Sequence, residues 1–313
     1  CKGVFLRADT SKNIKNSDAA IVEGGDKSDQ KHTEIMLSIL YNKKSKIPEK
    51  YQIIRDKYVG LANSGFDVIS SQFSLHYYFK DNKTLNGFIT NLVENTKKDG
   101  YFIGTCYDGG KIFNFFEERK KKFEQMENEK LSGIEDDDTE DDDTEEDDTE
   151  EEEEYINEPR KRDDKNRFYY KDTKGNIVFE IEKNYGIENF TYNEEDTSNM
   201  LGNEIKVYMD SIGQSITEYL VNFDYFVKIM EENGFELTIP PVKGNHTIFR
   251  KDYFENGLGQ FENVIDKLEE INSSDLSFRK YYKEALNLKG NYIVNPLTIL
   301  SSFNNYFIFK KVN

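Results

Sequence analysis

Between Glu135 and Glu154 the chain reads EDDDTEDDDTEEDDTEEEEE, a run of 17 acidic residues with no basic or apolar residue among them. Such a run repels itself and has nothing to bury, so it cannot offset its own ordering entropy. It is expected to be a disordered insertion, and it divides the foldable chain into a part before it and a part after it. Taking those 17 acids out of the formal charge of −18 leaves −1 for the remainder. The acidity is therefore local and does not argue against an anionic partner such as RNA. The ordinary reading of the run is a solvated surface insertion, and an acidic arm that recruits a basic partner is the alternative.

The remaining sequence can build a core, since 36% of the 313 residues are hydrophobic and 14% are aromatic. No stretch is apolar for the roughly 20 residues a membrane span needs, so membrane and secreted classes are not expected. The two cysteines, Cys1 and Cys106, form no CxxC, and His32, His76 and His246 have no metal-ligand spacing. A disulfide scaffold and a structural zinc are thus not expected. There is no GxxxxGK[ST] phosphate loop, no HExxH and no GxSxG, and nothing points to a Ser/His/Asp triad. The first residue is Cys rather than Met, so the chain is expected to be a fragment or a processed piece.

Upstream of the acidic run, strands and helices alternate. Val4–Ala8 has the pattern of a short apolar strand, and Ile35–Tyr41 and Tyr51–Leu61 have helical patterns. Phe66–Ser71 is expected to be a buried strand, Leu85–Val93 a helix with one apolar face, and Tyr101–Thr105 a second buried strand. Strand–helix–strand spacing of this kind predicts a parallel α/β unit. Downstream, Ile177–Ile181 and Ile205–Met209 predict an antiparallel excursion, and Thr217–Asn233 a helix stopped by Asn233-Gly234. Phe235–Ile239 and Tyr306–Lys310 are expected to be late strands.

The segment Phe66 to Phe79, FDVISSQFSLHYYF, carries the most chemistry. It is a strand ending in Ser71-Gln72, followed by aromatics around His76, and open α/β sheets bind ligands beyond such carboxyl ends. On spacing alone, ordinary core aromatics with a satisfied loop histidine explain it equally well. The segment, however, resembles the FD(I/V)xSxQFxxHYxF hallmark of mRNA cap guanine-N7 methyltransferases. Phe5–Lys12 (FLRADTSK), Gly100–Thr105 (GYFIGT), Ile205–Phe235 around TEYLV, and Asn305–Lys311 resemble further elements of that family in the family's order. The closest flavour is the methyltransferase region of capping enzymes of nucleocytoplasmic large DNA viruses.

That resemblance implies a class I S-adenosylmethionine-dependent methyltransferase, with a Rossmann-like mixed sheet and an antiparallel cap-binding excursion. It implies a partial cofactor-binding core over residues 1–116, the charged insertion over 117–167, and the excursion with the last strands over 168–313. The family's glycine-rich motif and the acidic end of its second strand, which hold the methionine part and the ribose of the cofactor, do not occur here. The sheet is therefore expected to lack its first strands, between Val4 and Phe66, and the piece is expected to be inactive alone. The implied activity is transfer of the sulfonium methyl to N7 of the guanine in a GpppN RNA end. N7 attacks with a lone pair and has no proton to lose, so positioning replaces a catalytic base.

By the same resemblance, Asp9, Thr10, Gln72 and Phe73 would line the cofactor, and His76, Tyr77, Tyr107, Glu218 and Tyr306 would meet the cap guanine. His76 would donate to O6, and Glu218 would accept from N1–H and the exocyclic amine. Asp9 could instead simply cap the next turn, and Glu218 could be a first-turn helix residue favoured by the dipole. Tyr107 stands where cellular relatives carry proline, and Tyr306 competes with Asn304 for the family's closing tyrosine. The implied partners are a capped RNA 5′ end and triphosphatase and guanylyltransferase domains on the same polypeptide. The implied location is intracellular: host cytoplasm or virion for a viral protein, nucleus for a cellular one. The alternatives are a methyltransferase with another acceptor and a non-catalytic binding subunit.

Overall fold

The computed structural model describes residues 3–44, 46–132, 165–172, 174–239, 257–261 and 296–313. The acidic run lies outside them, as does most of the stretch between the two late strands. Strand β1 (Phe66–Gln72), helix α3 (Asn82–Asn95) and strand β2 (Thr96–Tyr107) follow two earlier helices, α1 (Lys27–Leu40) and α2 (Gln52–Tyr58). β1 and β2 run parallel, with Val68 opposite Tyr101 and Gln72 opposite Thr105. This is the expected strand–helix–strand unit. The helix starts where it does because Asp81 accepts from Thr84 N while the Thr84 hydroxyl meets the Asp81 backbone, a reciprocal capping box.

After helix α4 (Gly109–Ser132), strands β3 (Arg167–Lys171), β4 (Ile177–Lys183), β5 (Glu204–Met209) and β6 (Gln214–Tyr219) form an antiparallel sheet in that order. Helix α5 (Phe223–Glu232), strands β7 (Phe235–Leu237) and β8 (Leu258–Gln260), helix α6 (Pro296–Ser302) and strand β9 (Asn304–Lys311) complete the described chain. β9 lies antiparallel to β2 on one side and to β7 and β8 on the other, giving a mixed sheet.

Two cores result. Phe102 and Cys106 of β2, Phe307 and Phe309 of β9, and Phe226 and Met230 of α5 pack with Leu85, Phe88 and Leu92 of α3. Ile112, Phe113 and Phe116 of α4 pack against Phe168, Phe179, Ile181, Ile205 and Val207 of the antiparallel sheet. The helical spacing of the α4 residues carries that helix well into the segment expected to be a charged insertion, with Phe123 also buried.

Three expectations need correction. Val4–Ala8 is not part of a strand; it is tied instead by Asp9 N to Ala19 O (2.8 Å) and by the Thr33 hydroxyl to Arg7 O (3.0 Å). β1 is not buried: Val68 is 52% exposed and Phe66 41%, because β1 is the outer strand of the described sheet and only β2 pairs with it. A cavity of about 370 Å³ lies beside it, lined among others by Leu6, Ala8, Leu37, Val68 and Ile69. The third is Thr217–Asn233, which is not one helix. β-Branched Ile216 and Thr217 pair with Val207 and Lys206, and a new helix starts only where the Asn222 side chain accepts from Tyr225 N. Glu218 is therefore a strand residue, and the helix-dipole explanation for it falls.

Gly104 sits mid-β2, where an added Cβ would run into the Phe307 ring and the Ser71 carbonyl. Replacing it should overpack the junction of β1, β2 and β9. Gly104→Ala is expected to lose about 1–3 kcal/mol of stability in urea unfolding, with an unchanged slope.

Candidate functional site

The carboxyl ends of β1 and β2 hold most of the residues singled out above. β1 ends at Gln72, and the next residue, Phe73, has a left-handed φ of 49° although it is not glycine. Such a conformation is costly for a bulky side chain and needs surroundings that enforce it. Here the Phe73 N–H donates to Thr105 O at 2.9 Å, and the ring is left 53% exposed at the strand end. Gln72 accepts from the Thr105 hydroxyl (2.9 Å) and donates to the Ser70 hydroxyl (2.9 Å). The 3-10 turn Leu75–Lys80 follows, anchored by fully buried Leu75 and Phe79, and this anchoring sinks His76 and leaves Tyr77 half-exposed.

Four residues meet around that turn. His76 is 3% exposed, and its ring lies edge-on to Tyr77 (4.3 Å between centroids) and stacked with Tyr107 (6.4 Å). Glu218, 7% exposed, arrives from β6, opposite Ile205 in the register. His76 Nε2 stands 3.4 Å from Glu218 Oε1. That distance lies within ion-pair range, but Nε2 has no hydrogen-bond partner and neither does Glu218 Oε2. Burial explains why no true salt bridge forms. It pulls His76 down to about 4 and pushes Glu218 up to about 7, so near neutral pH the imidazole carries no charge. Burial and the Glu218 charge also raise the Tyr77 hydroxyl and, more strongly, that of Tyr107. The site is thus a buried, aromatic-walled cluster in which Glu218 Oε2 and His76 Nε2 have no hydrogen-bond partner.

The other expected residues fall into two neighbouring groups. Phe261, just after β8, lies against both Phe73 and Tyr306, at 6.4 and 5.9 Å between ring centroids. Tyr306 faces Gly259 across the ladder, while Asn304, beside it in the alternation, is buried and bonds Leu300 O. Asp9 takes the capping role: its carboxylate accepts from Ser11 N (3.1 Å) and the Ser11 hydroxyl (2.6 Å) and pairs with Lys12. Burial alone would raise its pKa, but those bonds outweigh it and hold the carboxyl below its ordinary value. The Thr10 hydroxyl meets the Tyr78 hydroxyl, which joins the Asp9 loop to the His76 turn.

Sequence reasoning missed Cys106, Phe261 and the Asp108–Asn305 pair. The Asp108 carboxylate, buried at the end of β2, accepts from Asn305 Nδ2 (2.7 Å) and from Gly110 N (2.9 Å), fixing where Tyr107 leaves the strand. Cys106 was legible as the partner of Phe102 in the two-residue alternation of β2. Phe261 has no local signal.

A mixed α/β sheet of this kind, with its ligand-facing turn beyond a parallel strand, is the Rossmann-like architecture of class I methyltransferases. Residues 27–140 match the family model of the mRNA (guanine-N(7))-methyltransferase domain. A probable mRNA-capping enzyme of Acanthamoeba polyphaga mimivirus is 27% identical over 286 residues, covering 85% of this chain and 19% of the relative. An mRNA cap guanine-N(7) methyltransferase of Caenorhabditis briggsae is 43% identical over 47 residues, 15% of this chain and 12% of that protein. One of Aspergillus clavatus is 30% identical over 77 residues, 23% of this chain and 14% of its own length. The chain thus spans less than a fifth of each of these relatives.

The displaced Glu218 pKa gives a stability test. Its folded value lies above its ordinary one, so the native state holds its proton more tightly between about 4.5 and about 7, and stability falls as pH rises through that window. Glu218→Gln cannot ionise. It is expected to be more stable than the parent by about 1–3 kcal/mol at pH 8, with the gap closing by pH 5, measured by urea unfolding across pH. The opposite shift of His76 is present in both proteins and cancels to first order.

Proposed function

We propose that this chain supplies the cap-guanine site of an mRNA cap guanine-N7 methyltransferase, which moves a methyl group from S-adenosylmethionine to N7 of a GpppN RNA end. The observation that carries the reading is the buried Glu218 carboxyl, unpaired at Oε2 and 3.4 Å from the unpaired Nε2 of His76. Guanine presents two adjacent donors, N1–H and the exocyclic amine, beside one acceptor, O6. An ionised Glu218 with a neutral His76 donor matches that edge, whereas adenine presents the reverse polarity. Tyr77 and Tyr107 give the base aromatic walls.

The residues at the adjoining strand end fit the methyl donor in part. Phe73 offers an exposed ring, and the Gln72–Phe73 backbone sits where a parallel sheet receives ligands, but the Asp9 carboxylate is engaged by Ser11 and Lys12. The cofactor, when bound, supplies an electrophilic sulfonium methyl. Asp9, Thr10, Gln72 and Phe73 would hold it, and the cap residues orient the guanine without moving a proton. Because the displaced group is neutral and N7 has no proton to lose, orientation in a water-poor pocket is the available source of acceleration. Further capping activities on the same polypeptide would accord with the mimivirus relative, a probable mRNA-capping enzyme.

Calorimetric titration with the dinucleotide GpppA tests the reading. Binding should tighten as pH rises through about 7, up to roughly tenfold per unit below it, because protonation of Glu218 removes an acceptor. Glu218→Ala should weaken GpppA at pH 8 by roughly 10- to 100-fold, while deletion of Glu135–Glu154 should change it by less than about twofold. GpppA binding that ignores both pH and Glu218 would refute the assignment.

A further inference from the structure

Cys106, His76 and Glu218 stand in a row: Cys106 Sγ is 3.8 Å from His76 Nδ1, and His76 Nε2 is 3.4 Å from Glu218 Oε1. The order thiol–imidazole–carboxylate suggests a nucleophilic triad, and the geometry rejects one. The Cys106 side chain is fully buried in the core between Phe102 and Phe307, with no path for a substrate to the sulfur. Burial, and the Glu218 charge after it, also push the thiol well above its ordinary pKa. It stays protonated and unreactive.

A buried S–H must send its proton somewhere. The acceptor at hand is the Nδ1 lone pair of His76. A neutral imidazole carries one proton, and the nitrogen that accepts cannot hold it. We infer that Cys106 is a positioning residue whose thiol donates to Nδ1 and thereby fixes the His76 proton on Nε2, so that the pocket shows its ligand an N–H donor. The inference rests on the cap reading for its consequence but not for its geometry. With Nε2–H fixed, His76 can bond guanine O6 and opposes the amino group that adenine places there. With the other tautomer the preference would weaken, since Nε2 would face O6 lone pair to lone pair.

Long-range proton–nitrogen correlation on histidine-labelled protein reads the tautomer directly, with the His76 signals assigned by their loss in His76→Gln. At pH 6 the imidazole is neutral and Glu218 largely holds its proton, so the carboxylate does not impose the answer. The wild type and Cys106→Ser, which keeps a donor, are expected to show Nε2–H. Cys106→Ala should shift toward Nδ1–H, as the Glu218 hydroxyl becomes the donor facing Nε2. At pH 8 its preference for GpppA over ApppA should fall about tenfold, the size of one neutral hydrogen bond. Nδ1–H in the wild type, or an unchanged Nε2–H in Cys106→Ala, overturns the proposal. The wild-type spectrum needs no variant to fold. If Nε2–H holds and shifts as expected while neither dinucleotide binds, the positioning role stands and the cap reading falls.

Discussion

Along β2 successive side chains point to opposite faces, so one strand serves two cores and the site at once. Phe102 and Cys106 enter the core shared with β9, α3 and α5, while Tyr107 turns toward the core under the antiparallel sheet. Gly104 lets β1 and the Phe307 ring approach closely enough for this to work. The register then does the rest. Gln72 is opposite Thr105 on one side and Tyr306 is opposite it on the other, so the ends of three strands come level at one edge. A one-residue slip in β2 would exchange the faces of Cys106 and Tyr107 and dismantle the pocket.

The pocket's electrostatics follow from this placement. Glu218 lies on the inner face of β6 near Ile205 and Val207, with His76 Nε2 at 3.4 Å and the Tyr77 and Tyr107 hydroxyls close enough to feel its charge. A carboxylate in such a place costs stability unless a ligand supplies donors, and a histidine there costs stability if charged. The protein tolerates both by keeping the imidazole neutral and the carboxyl near its midpoint. On the proposed reading, a base bringing two donors and one acceptor in the right order would complete the hydrogen bonds of Glu218 and His76.

Much of this was legible in the sequence, for identifiable reasons. Leu85, Phe88, Ile89 and Leu92 have helical period, and they form the buried face of α3. The parallel unit was legible because two short apolar runs flanked that helix. His76 and Tyr77 stand beyond a strand end, but they and Tyr107 were singled out through the family resemblance and not by position alone. The failures are equally physical. Apolarity gave Phe66 and Val68 away as strand residues but said nothing about which neighbours would cover them. Thr217–Asn233 has an apolar stripe over its second half only. Cross-strand pairing with β5 claims the first half, and pairing between distant segments leaves no local trace. Phe261 joins Phe73 to Tyr306 only because β8 pairs with β9.

The distribution of the site across the two sheets bears on how such a pocket works. The turn with His76 and Tyr77 belongs to the parallel unit, and Glu218 to the antiparallel excursion. What binds them is a seam: Gly109 N donates to Val221 O at 2.8 Å, and Gly202 N donates to Phe79 O at 2.9 Å. A side chain at Gly109 would strike Val221, so the close approach that brings Glu218 to His76 is built into the backbone. A reaction that requires no proton transfer has little use for a reactive side chain, and much use for two rigid walls set at a fixed spacing. On the proposed reading, glycine at the seam, a capped helix behind the turn and a thiol locking the imidazole would all serve that one requirement, which is to hold a flat base still with its lone pair aimed outward.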